Sequence, residues 1–138
     1  MLSIAGEKTS QEAVSWVIEQ FAKKTGCLIP DYSVYADTSV DPGRYVILME
    51  TYPTLPRDKI SEYETLIEDL LSQANPNLGF VLKNNQLQKP KILFVQQQTY
   101  ALYTDMQVMR GTSRNQIKPV RIIDTPAKEK FFFALTEK

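Results

Sequence analysis

Four residues toward the C-terminus have the types and spacing to do chemistry: Arg114, Gln116, Lys118 and Arg121 fall within one polar stretch of eight residues. Ammonium and guanidinium groups gathered this closely can meet an anion. One lysine and two arginines on a loop do not, however, pre-organise a clamp for a triphosphate. What is missing narrows the field further. The chain has 0 histidines and 1 cysteine, Cys27, so the commonest general base and the commonest zinc ligand are both lacking. Ser-His-Asp and Cys-His machinery and Cys/His zinc sites are excluded. Neither a Walker-type loop nor GxGxxG occurs, so a nucleotide would have to find its phosphate cradle on another polypeptide or another domain.

The other polar candidates read as structural. Cys27 is a small buried hydrophobe at a strand start. Glu62, Glu64, Glu68 and Asp69 form a solvated helix face, and Glu7 and Lys8 read as exposed linker charges. Trp16 and the Tyr/Phe set belong to the core or to a domain interface rather than to a base-stacking platform.

The elements that must position the cationic stretch follow from periodicity and turn chemistry. Residues 1–8 read as a linker. Thr9-Ser10-Gln11-Glu12 is a capping box with Thr9 as N-cap, and Val14, Val17, Ile18 and Phe21 then recur at helical spacing until Gly26. Tyr32, Val34 and Ala36 alternate with polar neighbours as in a strand. Asp41-Pro42-Gly43 is a turn. Arg44–Thr51 is a second strand, apolar on both faces and therefore central, and the two strands form an antiparallel hairpin. Arg57–Ala74 is a second helix, stopped by Asn75-Pro76-Asn77. Phe80–Leu82 and Lys91–Val95 are expected as short strands around an Asn84-Asn85 turn. A third helix runs from Thr99, as cap, to Met109 and ends at Gly111. Phe131-Phe132-Phe133 is expected to pack or to form an edge strand. The reading is an α+β sandwich: a small, mainly antiparallel or mixed sheet of about four strands with about three helices, and Val46, Leu48, Ile67, Leu70, Ile92 and Phe94 in the core.

Composition sets the remaining bounds. A length of 138 residues fits one domain, and 43% hydrophobic residues suffice for a core. Lys+Arg 16 and Asp+Glu 16 cancel, which leaves no global field for nucleic acid or an anionic membrane. No apolar run reaches the roughly 18–20 residues of a membrane span, and Met1–Lys8 lacks the pattern of a signal peptide. One cysteine fits a reducing cytoplasm.

Three stretches, in order, carry a resemblance: Gly6-Glu7-Lys8 ahead of a helix, Gly43-Arg44-Tyr45-Val46-Ile47-Leu48-Met49-Glu50, and Asn75-Pro76 through Phe80 to Gly111…Gln116-Ile117-Lys118-Pro119-Val120-Arg121. Together they resemble the C-terminal domain of the auxin-responsive acyl acid amido synthetases, a plant and bacterial family of acyl-adenylate ligases. The resemblance spans about residues 4 to 123 and rests on order and spacing, since no single piece is specific. The chain departs from the pattern where proline directly follows Lys118 and valine stands at 120; the family more often has proline just before the arginine. That leaves the backbone path beside Lys118 open.

The resemblance implies residues 1–8 as a hinge and 9–138 as a lid domain that rotates over a larger N-terminal adenylation domain outside this chain. It implies ATP with Mg2+, bound mainly by that larger domain, and a carboxylic acid and an amino acid as substrates. An acyl-adenylate forms first, and an amine then attacks the acyl carbon. Lys118 is the implied catalytic point charge near the phosphates. Arg121 and Arg114 stand between assisting it and serving as surface or ion-pair charges, and Gln116 between nucleotide contact and loop capping. The fragment alone is expected to be inactive. The competing reading is a stand-alone α+β module that binds a ligand or peptide without catalysis.

Overall fold

The computed structural model describes residues 3–137; Met1 and Leu2 of the expected linker, and Lys138, lie outside the described residues. Its elements in order are α1 (Gln11–Thr25), β1 (Leu28–Asp37), β2 (Arg44–Tyr52), α2 (Ile60–Ala74), α3 (Pro76–Lys83), β3 (Lys91–Phe94), α4 (Thr99–Met109) and α5 (Pro126–Ala134). Strand order is β1-β2-β3: β1 and β2 are antiparallel with Asp37 opposite Arg44, and β3 joins β2 in parallel with Ile92 opposite Ile47.

The class is the α+β expected, with a mixed sheet. The apolar run in β2 explains its layering. Tyr45, Ile47 and Met49 enter one core with α1, α2 and α3, while Val46 and Leu48 enter a second core with Tyr100 of α4 and Phe132 of α5. Successive strand residues point to opposite faces, so a strand apolar at every position needs helices on both sides. Val46, Leu48, Ile67, Leu70, Ile92 and Phe94 are all 5% exposed or less.

Three local expectations are corrected or narrowed. Phe80–Leu82 is not a strand but the middle of α3: Asn75 accepts from the Asn77 amide at 3.1 Å and Pro76 fills the first helical position, so the Asn-Pro that stops α2 also starts α3. Phe131-Phe132-Phe133 packs as expected, with Phe132 fully buried in the second core, but within helix α5 and not as an edge strand; Thr125 is the N-cap and Pro126 the first residue. That brings the described helices to five and the strands to three. In α1 the cap is Ser10, whose hydroxyl accepts from the Ala13 amide at 3.1 Å, because Thr9 is buried and its hydroxyl accepts from Asn75 Nδ2 instead.

Thr99 opens α4 as expected, but the amide of Tyr100 donates to the Glu50 carboxylate at 3.2 Å. A buried acid from β2 therefore does the work of the local cap.

Both sheet edges are closed by extended chain. Along β1, the Val34 amide donates to Arg121 O at 2.8 Å and the Ile123 amide to Val34 O at 2.9 Å. Along β3, the Glu137 amide donates to Phe94 O at 2.7 Å. The first of these edge segments also carries the cationic stretch.

Candidate functional site

The sequence from Arg114 to Arg121 leaves α4, makes one short 3-10 turn at Arg114–Gln116, and becomes extended where it meets β1. Anchoring begins at Val120, which is buried in the second core and whose carbonyl accepts from the Ser33 hydroxyl. Ser33 is fully buried, and its oxygen is also within 2.8 Å of the Tyr100 hydroxyl. Arg121 is held on three counts. Its Nη1 donates to Asp31 at 3.0 Å and to Tyr32 O at 3.2 Å, and its guanidinium lies 4.3 Å from the centre of the Tyr32 ring. Pro119 stands immediately before this anchor and restricts φ. The altered proline position thus lies at the cleft wall directly before the anchor, with exposed Lys118 just ahead of it.

Lys118 is exposed and makes no ion pair among the described residues. It borders an open cleft of about 590 Å³ whose walls include Arg121, Asp124, Lys128, and Tyr103 and Gln107 from α4. The structure therefore brings Lys118 and Arg121 together. Arg114 and Gln116 are exposed and do not line the cleft. Arg114 turns to Asp105 of α4 at 2.9 Å, a pair more than half exposed on both sides, which is worth about 0.2–1 kcal/mol at most. The cation that shares the cleft with Lys118 and Arg121 is Lys128, held at 3.0 Å by Asp124 four residues earlier. Sequence reasoning missed it. The signal was present in Thr125-Pro126, a cap followed by a first-turn proline, which places Lys128 one turn into a helix.

Three cations line the cleft against one carboxylate, but Arg121 is paired with Asp31 and Lys128 with Asp124, so Lys118 is the cation there with no ion pair among the described residues. Among the described residues no three of His, Cys, Asp or Glu gather to hold a metal ion.

A second charged site lies in the Ser3–Thr9 segment. Glu7 was expected to be an exposed linker charge, yet it is 2% exposed. Its carboxylate accepts from the Ile4 and Ala5 amides, each at 2.7 Å, and from the Tyr45 hydroxyl. Asn75 Nδ2 donates to Glu7 O at 3.1 Å and to Lys8 O at 3.2 Å. Burial works to raise the Glu7 pKa, but the bonds from Tyr45 and the two amides outweigh it and hold the carboxyl below its ordinary value of 4.5. Burial and the facing Glu7 push the Tyr45 phenol far above its usual range. The segment is tied to the domain by satisfied polar groups rather than left free.

This fold has known counterparts. Residues 12–127 match the model of the GH3 family C-terminal domain, and the chain belongs to that family. It is 29% identical over 133 residues to the indole-3-acetic acid-amido synthetase GH3.17 of Arabidopsis thaliana, covering 89% of this chain and 22% of that protein. With the probable indole-3-acetic acid-amido synthetase GH3.1 of the same plant it shares 30% over 141 residues, covering 94% and 23%. With the 4-substituted benzoates-glutamate ligase GH3.12, also from Arabidopsis thaliana, it shares 28% over 135 residues, covering 89% and 24%. The chain thus spans about a quarter of the length of these relatives. In structure it superposes on a GH3.15 acyl acid amido synthetase with TM-score 0.83 at 23% identity, covering 99% of this chain and 25% of that one. That likeness shows the fold. No helix among the described residues is long and apolar enough to cross a membrane.

Proposed function

We propose that this domain is the lid of an ATP-dependent acyl acid amido synthetase, and that Lys118 is the charge it delivers to the reacting phosphates. The observation that carries the reading is a lysine beside a fixed neighbour: Lys118 is exposed and without an ion pair among the described residues, while Val120 and Arg121 are fixed to β1 directly behind it. A lid that moves as a body keeps such a charge aimed and leaves it free until closure supplies its partner. Surface lysines that merely solvate need no such anchor.

In this reading ATP and a carboxylic acid, both seated on a larger N-terminal domain, yield an acyl-adenylate and pyrophosphate; the amine of an amino acid then attacks the acyl carbon, forming the amide as the acyl–phosphate bond breaks and AMP and a proton leave. The amido synthetase and glutamate ligase relatives support that chemistry, with acid and amine identities left to the larger domain. The chain's own residues have three tasks. Lys118 offset negative charge that develops on the phosphates. Lys128 lies on the same cleft to share that work, with Asp124 orienting it. Arg121 holds the wall in place through Asp31 and Tyr32. A Mg2+ ion bound with ATP would shield phosphate charge, and its ligands would come from the larger domain. A single buried cysteine and the use of ATP suit a cytoplasmic enzyme.

The test is Lys118→Ala in this domain joined to its adenylating partner, read as pyrophosphate exchange. Loss of a contact to transition-state charge costs about 2–4 kcal/mol, so the rate should fall about 30- to 1,000-fold with the melting temperature unchanged. Lys118→Arg should recover little, since a planar fork does not replace a compact ammonium. Exchange at the wild-type rate in Lys118→Ala would remove Lys118 from the mechanism. The domain alone should show no micromolar ATP binding in calorimetry, because an open three-cation cleft is not a pre-organised triphosphate site.

A further inference from the structure

On the other side of Tyr103, Gln107 and Lys128, which form a wall common to both, α4 and α5 enclose a second opening of about 680 Å³. It exceeds the Lys118 cleft in volume and differs from it in chemistry. Leu102 and Met106 of α4 face Phe131 and Ala134 of α5 across it, with Leu135 at one end. Tyr103 and Phe131 meet edge to face with centroids 5.4 Å apart, which gives part of the floor a fixed aromatic surface. Leu102 is 46% exposed, one of several large apolar side chains left at the surface with Leu28, Phe80 and Met109.

The rim is charged in one sense. Arg110, Lys128 and Lys130 line the groove, and no aspartate or glutamate does. Arg110 and Lys130 make no ion pair among the described residues. In a chain whose Lys+Arg 16 and Asp+Glu 16 cancel, two unpaired cations, with Lys128 already paired to Asp124, around an apolar floor that no described aspartate or glutamate lines are a local departure.

We propose that this groove binds a small amphipathic carboxylic acid, its apolar body lying between α4 and α5 and its carboxylate held at the cationic rim. Size selects a small molecule. The volume falls in the range of about 300–1,000 Å³ usual for ligand sites, and helices of 11 and 9 residues make a trough roughly 14–16 Å long. That length suits an aliphatic acid of about ten carbons. Met106 is the adaptable part of the floor, because an unbranched thioether side chain can follow the contour of different apolar bodies. The proposal stands independently of the role given to Lys118.

Sodium decanoate titrated into the chain, with methyl and amide NMR shifts as the readout, tests it. Decanoate should bind with a Kd on the order of 0.1–1 mM and should shift Leu102, Met106, Ala134 and Leu135. Decyltrimethylammonium, with the same tail and the opposite charge, should bind at least about tenfold more weakly. Lys130→Glu reverses an exposed charge without touching the core and should weaken decanoate about tenfold or more, while Leu102→Asp should abolish its shifts. Equal binding of the two amphiphiles would overturn the proposal, since apolar adhesion alone would then suffice. So would shifts that map elsewhere, or sedimentation as a dimer in which a second copy of the chain covers the groove.

Discussion

Glu7 and Lys118 belong to two segments that the sequence singles out, carry opposite charges, and receive opposite treatment from the fold. Glu7 is buried and its carboxylate takes three donors, with Asn75 tying the backbone around it. Lys118 is exposed and has no ion pair among the described residues, although the chain two residues on is anchored to β1. A charge surrounded by partners contributes stability and has nothing left to offer a ligand. A charge without partners on a fixed backbone contributes little to stability and remains available for one. The two regions therefore ought to answer to different measurements.

Glu7→Ala should produce the largest stability loss. It removes the acceptor for two amides and a buried phenol, and orphaned buried donors cost roughly 1–3 kcal/mol each when fully desolvated. Relaxation and water entry should hold the total to about 3 kcal/mol, seen as a lower midpoint in urea unfolding. Loss below about 0.5 kcal/mol would erase the contrast with Lys118.

The same site predicts an acid dependence. The folded pKa of Glu7 lies below its ordinary value, so the unfolded chain binds the proton more readily. The stabilisation is thus complete above about pH 4.5 and is lost as pH falls toward the folded value. Asp37 adds to this in the same direction, because the Ser39 hydroxyl, with the Ser39 amide and Arg44, outweighs burial and lowers its pKa. In urea titrations at pH 3 and pH 6, Glu7→Gln should lose less stability between the two than the parent chain does. An identical loss would leave Glu7 without a part in the acid dependence.

Arg121→Ala should come next, at about 1–2 kcal/mol, because it removes a half-buried ion pair to Asp31 and the contact with the Tyr32 ring. It should also lower pyrophosphate exchange by loosening the segment behind Lys118. Lys128→Ala should change stability by less than about 0.5 kcal/mol while slowing exchange about tenfold, as expected for a secondary charge in the cleft. A normal rate would leave Lys118 as the lone contributor. Arg114→Ala should do least, within about 0.5 kcal/mol in stability and without effect on exchange, since it faces Asp105 outside the cleft.

Much of this was legible in the residues. The helix from Val14 to Phe21, its stop at Gly26, the hairpin around Asp41-Pro42-Gly43 and the two-faced β2 all follow from period and turn chemistry, which are local properties. So is the capping logic of Asn75-Pro76 and Thr125-Pro126, each of which announces a helix: the sequence reading takes the first only as a stop and does not use the second.

What no local rule contains is which side chains meet across the fold. The acid that caps α4 comes from β2 and the donor that secures the Ser3–Thr9 segment comes from the α2–α3 junction; the edge that orients Lys118 belongs to β1. The order of charges along the chain suggested Arg121 and Arg114 as possible partners of Lys118; Arg121 shares the cleft, while the turn at Arg114–Gln116 sends Arg114 to Asp105, and α5 brings Lys128. Sequence spacing determines which residues share a helix face or a strand face. Only closure of the two cores against the sheet decides which charges are buried with partners and which are left exposed without them, because desolvation and pairing depend on neighbours distant in the chain.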